Sequence, residues 1–191
     1  APRLCYHFSM LEEQTMATKV RLALPSKGAL GDATLDFLAA AGLQVDKTNP
    51  RQYTATIPAL PGVQVLFQRP ADIPFGVARG DVDLGITGAD RVAEALPKIG
   101  GAVLTLHDAL GYGHCALVLA VPVEWTDVDS MTALAARARE RGGLRVATKY
   151  HHLVFTYLKQ HNVEPVELVY ADGALEVTPL MGSADLIADI S

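Results

Sequence analysis

The sequence predicts an α/β protein, and three observations carry that expectation. Short apolar runs of strand length alternate with longer segments whose apolar residues recur at three and four positions. Val77–Asp90, VARGDVDLGITGAD, reads as a helix end, a tight turn, a strand-length apolar run over Val82–Thr87 and a new helix start at Thr87–Asp90, which is how a buried parallel strand looks. Half of the 191 residues are hydrophobic, enough to bury a core in one domain or two small ones.

Composition excludes several functions. With 19% charged residues and a net charge of -5, no basic field exists to draw in nucleic acid or an anionic membrane. An anionic substrate therefore needs local Lys and Arg. Cys5 and Cys115 stand too far apart for a thiolate metal cluster and too few for a disulfide framework, so a reducing cytoplasm is the expected location. No apolar run reaches the roughly 18 to 20 residues that cross a bilayer. Residues 1–18 lack the apolar core of a secretory signal, and Glu12-Glu13 argue against a transit peptide. They are read as a poorly ordered extension or tag, with Met16 a candidate natural start.

Lys19–Pro25 reads as the first strand and Leu30–Ala41 as a helix burying Leu30, Ala33, Thr34, Phe37, Leu38 and Ala41, stopped by Gly42. Between them, Lys27 and Gly28 have the character of a phosphate loop, although the Walker spacing is absent and an ordinary turn with a solvated lysine serves equally. Tyr53–Pro58 and Val63–Gln68 are strands joined by a hairpin or a short crossover at Pro61-Gly62. Arg51 and Arg69 flank them, each able to grip a phosphate in a two-pronged fork or to lie solvated on the surface. Pro70–Arg79 reads as a short helix with Asp72 near its positive end, and Asp90–Leu96 as a helix stopped near Pro97. In the opening stretch Gly85 and Gly88 either pack tightly or let a ligand approach the backbone.

Val103–His107 is expected to resume as a strand. LGYG at Leu110–Gly113 then crosses into a second strand set, which sets a candidate boundary near residues 107–115. His114 and Cys115 point to opposite faces of a strand starting there, so no Cys/His pair forms. Ser130–Arg141 is an Ala-rich helix with Met131, Leu134, Ala135 and Ala138 inside, ended by Gly142-Gly143. Leu144–Ala147 is a strand with Thr148–Tyr150 at its carboxyl end, where ligands collect in α/β folds. Leu153–Lys159 is a helix, Val166–Tyr170 a strand, and Ala174–Met181 a helix bearing Glu176. Adjacent His151 and His152 face different directions on a helix and make a poor metal site. Ala184–Ser191 closes as a strand on which Asp185 and Asp189 share a face; they suit ribose hydroxyls or a magnesium ion, or cap a turn.

Taken in order, LALPSKG, NPRQY, QRPADIP, ARGDVDLGITGAD, VATKY and GALEVTPLMGSADLIADI resemble the ATP phosphoribosyltransferases of histidine biosynthesis, over Lys19 to Ser191. The resemblance implies a two-domain fold like the type II periplasmic binding proteins, with 19–107 and 108–191 as the domains and the active site in the cleft between them. It implies transfer of phosphoribosyl from phosphoribosyl pyrophosphate to a ring nitrogen of ATP adenine, with release of pyrophosphate and with Mg2+ present. It places Arg51 near the pyrophosphate as the catalytic group. Lys27, Gly28, Arg69, Asp72, Gly88 and Asp90 would bind substrate from the first domain, and Lys149, Glu176, Asp185 and Asp189 from the second. No protein metal cage is implied. The family's short form lacks a regulatory domain and works with a subunit related to histidyl-tRNA synthetases, so a short-form-like homo-oligomer with such a partner, or a fragment, is expected.

Two departures matter. Ala29 stands where the family often has an arginine that would help hold the leaving group. The family's Thr-Gly loop for the 5′-phosphate would follow Ser191, and the expectation is that the sequence continues into it. A non-catalytic solute-binding or effector-sensing module of the same bilobal fold is the alternative.

Overall fold

The computed structural model describes residues 19–47, 49 and 52–191. The first half of the chain forms β1 (Val20–Pro25), α1 (Gly28–Ala40), β2 (Thr54–Thr56), β3 (Val63–Gln68), α2 (Ile73–Ala78), β4 (Leu84–Gly85) and α3 (Ala89–Ile99). The second half forms β5 (Leu117–Ala120), α4 (Met131–Glu140), β6 (Leu144–Thr148), α5 (His151–Gln160), β7 (Val166–Tyr170), α6 (Val177–Leu180) and β8 (Leu186–Ile190). Two four-stranded sheets result, ordered β2-β3-β1-β4 and β5-β8-β6-β7. In the first, β1 runs parallel to β3 and β4, and β2 returns antiparallel on β3 as a hairpin. In the second, β6 runs parallel to β7 and β8, and β5 is antiparallel to β8. Parallel pairing gathers the carboxyl ends of β1, β3 and β4 on one edge and those of β6, β7 and β8 on another.

Each sheet has its own core. Leu22, Leu24, Val65, Phe67 and Leu38 pack on one face of the first sheet, and Ala23, Ile73 and Val82 on the other. Leu144, Val146, Leu186 and Ala188 meet Leu134, Val154 and Leu158 in the second. Full burial of each such Val or Leu contributes about 1.5–3 kcal/mol.

The two halves repeat one device. Arg21, the second residue of β1, donates its amide and guanidinium to the Asp83 carboxylate, and also donates to the Gly80 carbonyl. Arg145, the second residue of β6, does the same to Asp185 and to the Gly182 carbonyl. In both cases the residue after the arginine pairs with the residue after the aspartate, Leu22 with Leu84 and Val146 with Leu186. The fork thus fixes the register at which the last parallel strand of each half joins its neighbour. Asp83 is held down to about 2, chiefly by the hydrogen bonds from the Arg21 side chain and amide.

Several elements differ from the sequence expectation. Val103–His107 forms no strand; Leu104 and Leu106 are 79% and 72% exposed, and an alternating segment with no ladder partner among the described residues has nothing to pair with. The Val82–Thr87 run shrinks to a two-residue β4 at the sheet edge with Leu84 half-exposed, because Val82 packs before the strand begins. Helix α3 runs through Pro97 to Ile99. A proline in the last turn removes one hydrogen bond, while buried Ala95 and Ile99 hold the turn in place until Gly100 ends it. Pro70–Asp72 stay a turn, in which the Asp72 amide donates to Arg69, so α2 starts at Ile73; α6 is likewise only one turn. On α1 the buried residues are Gly31, Thr34 and Leu38, and Phe37 instead stacks on Tyr112 at 5.5 Å.

Candidate active site

The site is assembled where the two carboxyl edges meet, through α3 and α5. The extended backbone at Gly88 starts α3, with Asp90 in its first turn. Gly88 has no need of a positive φ; a Cβ there would strike the Asp90 carboxylate, which folds back over it, so the glycine serves close approach. Gly85 is a packing glycine, since a Cβ would collide with Ile73. Thr87 donates its hydroxyl to the Pro70 carbonyl and ties the β4 end to the loop after β3.

Asp90 pairs with Arg91 at 3.1 Å, and the Arg91 guanidinium lies 4.8 Å from the Tyr150 ring centre. Tyr150, only 1% exposed, stands between β6 and α5, and its amide donates to the buried Thr148 hydroxyl. The Lys149 ammonium is 5.2 Å from the same ring and 3.5 Å from the Asp189 carboxylate. Burial pushes the Tyr150 phenol up to about 12, opposed by Arg91 and assisted by the Asp90 and Asp189 charges and a hydrogen bond with Asp90. The result is a half-buried cluster of two cations and two carboxylates around one neutral phenol. Such a cluster presents fixed charge of both signs and lacks an activated nucleophile, which suits holding and polarising a polyanionic substrate.

The other sequence candidates lie as follows. Lys27 is the exposed N-cap of α1 and Gly28 its first residue, at the carboxyl end of β1 on the same edge as Gly88. Arg69 and Asp72, both exposed, line an open cleft of about 440 Å³ at the end of β3 with Phe67, Gln68, Phe75 and Arg79. Glu176 is exposed at the start of α6. Asp185 is not brought to Asp189. It precedes β8, about 13 Å away along the strand by strand rise, and its carboxylate is taken by Arg145 at 3.1 Å and Arg141 at 3.6 Å. Arg51 lies outside the described residues. Among the described residues no group of three or more His, Cys, Asp or Glu gathers as a metal cage; Asp90 and Asp189 are the carboxylates within the cluster.

Arg91 in the cluster and Glu94 beside it were not singled out by sequence, whereas Tyr150 was, as the last residue of the Thr148–Tyr150 strand end. Glu94 accepts hydrogen bonds from the His152 and Leu153 amides at 3.2 and 3.0 Å. Its signal was the four-residue spacing from Asp90, which puts both carboxylates on one helix face.

The family model described as HisG, ATP phosphoribosyltransferase, matches residues 69–191. The chain belongs to the ATP phosphoribosyltransferase family. Its relatives within the family include ATP phosphoribosyltransferase of Chelativorans sp. (strain BNC1), 42% identical over 90% of this chain and 77% of that one. ATP phosphoribosyltransferase 2, chloroplastic, of Arabidopsis thaliana is 42% identical over 90% of this chain. The chain spans only 42% of that plant relative and 43% of its paralogue. Among solved structures, the ATP phosphoribosyl transferase (HisG:HisZ) complex from Thermotoga maritima superposes with a TM-score of 0.63 at 22% identity, covering 90% of this chain and 74% of that one. The overall α/β architecture is therefore shared within the family. No helix among the described residues is long and apolar enough to cross a membrane.

Proposed function

We propose that this chain carries the catalytic core of an ATP phosphoribosyltransferase, transferring phosphoribosyl from phosphoribosyl pyrophosphate to a ring nitrogen of ATP adenine in the first step of histidine biosynthesis. What carries the reading is the Lys149–Asp189 pair and the α3 start meeting around Tyr150, in a chain of this family. In this reading the sheets belong to two domains, 19–107 and 108–191, of a type II periplasmic-binding-protein-like fold with substrates in the cleft.

The adenine nitrogen supplies its own lone pair, forming the new C–N bond as the anomeric carbon's bond to pyrophosphate breaks. No protein nucleophile is required. The barrier lies in separating a cation-like sugar from a polyanion, so positioned charge lowers it. Lys149, Lys27 and Arg69 would take phosphate oxygens, Arg51 the departing pyrophosphate, and Asp189 and Glu176 the ribose hydroxyls; Gly88 and Asp90 would position the nucleotide. Mg2+ commonly binds through substrate phosphates and one or two carboxylates. Asp189 and Asp90 fit that role, and the ion would supply neutralisation of the leaving group's charge.

The Thermotoga maritima structure is of a HisG:HisZ complex, which supports a partner subunit for this chain; in the short-form reading that subunit is regulatory and related to histidyl-tRNA synthetases, and the chain forms a homo-oligomer. A cytoplasmic location is the simplest for such an assembly. The test is turnover: full-length protein mixed with that subunit, ATP, phosphoribosyl pyrophosphate and Mg2+ releases pyrophosphate. Absence of release at every subunit concentration overturns the reading.

A further inference from the structure

Helix α5 begins without a cap of its own. Its N-cap, Tyr150, makes no side-chain hydrogen bond to the first turn, and that turn contains no acidic residue. Four amides at a helix start have no intrahelical partner, and leaving them unsatisfied in a half-buried place is costly. The missing acceptor comes from the other half of the molecule. Glu94, half-buried on α3, reaches across so that one carboxylate oxygen accepts from the His152 amide at 3.2 Å and the other from Leu153 at 3.0 Å. A full negative charge at the positive end of a helix dipole strengthens both bonds.

Glu94 is one turn along α3 from Asp90 and Arg91, and Arg91 covers Tyr150, the residue immediately before α5. The segment between α3 and β5 carries Gly111 and Gly113 at φ 86° and 66°, a conformation that L side chains rarely adopt, and Tyr112 between them lies on Phe37 and Thr34 of α1. The halves are thus linked by the chain crossing, by Arg91 over Tyr150 and by a Glu94 clasp that exists only while they touch.

We propose that Glu94 is an interdomain latch: by capping α5 from α3 it holds Lys149 and Asp189 at a fixed distance from Gly88 and Asp90, and so acts as a positioning residue for the cleft. The effect on turnover rests on the function proposed above; the clasp itself does not. Releasing it frees α5 and the Lys149-Tyr150 corner from which it springs, while the cores of both sheets stay intact.

Two readouts on the full-length protein separate these claims. In Glu94→Ala, hydrogen exchange at the His152 and Leu153 amides accelerates at least tenfold while exchange at Val146 and Leu186 stays within twofold of wild type. Glu94→Gln keeps one acceptor oxygen and falls between. Unchanged exchange at 152 and 153 overturns the latch, whether or not the protein turns over. In the turnover assay with the regulatory subunit, Glu94→Ala lowers kcat at least tenfold with KM for ATP changed less than threefold, and Glu94→Gln recovers part of the loss. Accelerated exchange with wild-type kcat overturns the positioning role. Inactivity of the wild-type protein overturns the proposed function instead and leaves the exchange result to decide the latch.

Discussion

Removing the Asp185 carboxylate separates a structural role from a substrate-binding one. Its side chain is 13% exposed and accepts from the Arg145 amide at 2.8 Å and from the guanidinium at 3.1 Å, with Arg141 at 3.6 Å. Asp185→Ala orphans the Arg145 amide, a loss of about 1–3 kcal/mol. The guanidinium, 41% exposed, rehydrates, so the ion pair adds at most about 1 kcal/mol. The total is about 3 kcal/mol, or a fall in Tm of roughly 6–12 °C for a chain of this size. Asp185→Asn keeps one acceptor oxygen for the amide and should lose less than half as much. Burial pushes the Asp185 carboxyl up, but the Arg145 hydrogen bonds with the Arg145 and Arg141 charges outweigh it and leave it below its ordinary value. Its contribution is therefore present above the unfolded carboxyl value, near 4, and fades as pH falls through the lower folded value. Urea titrations of wild type and both variants at pH 7 and in acid measure this. An Asp185→Ala cost under about 0.5 kcal/mol, or an Asn variant as damaged as the Ala variant, refutes the fork as the device that registers β8.

Two further outcomes follow from the cluster. Burial pushes the Tyr150 phenol up to about 12, so Tyr150→Phe removes a late phenolate step from the alkaline absorbance titration, and stability linked to it is retained below about 10 and lost as pH rises through 12; a variant whose late titration matches wild type contradicts the assignment. Lys149→Ala lowers turnover on the order of a hundredfold, equivalent to about 3 kcal/mol of barrier, with little change in Tm, because its partly exposed pair with Asp189 at 3.5 Å contributes little to stability; equal turnover in variant and wild type removes Lys149 from the mechanism.

Much of the alternation was legible because local patterns agree with tertiary fate. Val63–Gln68 and Val166–Tyr170 emerge as strands with the expected bounds, and Ser130, expected as the first residue of the Ala-rich helix, stands just before α4 and caps it by accepting from the Ala133 amide. What failed depends on partners that a linear pattern does not specify. Leu104 and Leu106 alternate as strand residues do, yet a strand requires a neighbour. Asp185 and Asp189 were expected to share a strand face, but Asp185 precedes β8, three residues stand between it and Asp189, and Arg145 claims its carboxylate. The repeat of Arg21–Asp83 in Arg145–Asp185 rests on two short matching pieces, Arg-x-Ala at Arg21–Ala23 and Arg145–Ala147 and Gly-x-x-Asp-Leu at Gly80–Leu84 and Gly182–Leu186, and is obscured in the sequence because the fork residues stand 62 positions apart in one half and 40 in the other. In the candidate site, Gly88 and Asp90 after β4 and Lys149 and Tyr150 after β6 were readable as residues following strands, and Asp189 as a carboxylate on the last strand. Arg91 and Glu94 were not, since their role arises from contact between the two halves.

The most direct test follows the transferred atom. Phosphoribosyl pyrophosphate carrying 13C at its anomeric carbon is incubated with ATP, Mg2+, the full-length protein and its regulatory subunit. The account predicts that the label moves onto a ring nitrogen of ATP adenine, one adduct for each pyrophosphate released, and that Lys149→Ala slows both together. Label recovered only in ribose phosphate, or left on the starting compound while nucleotide binds normally, contradicts it.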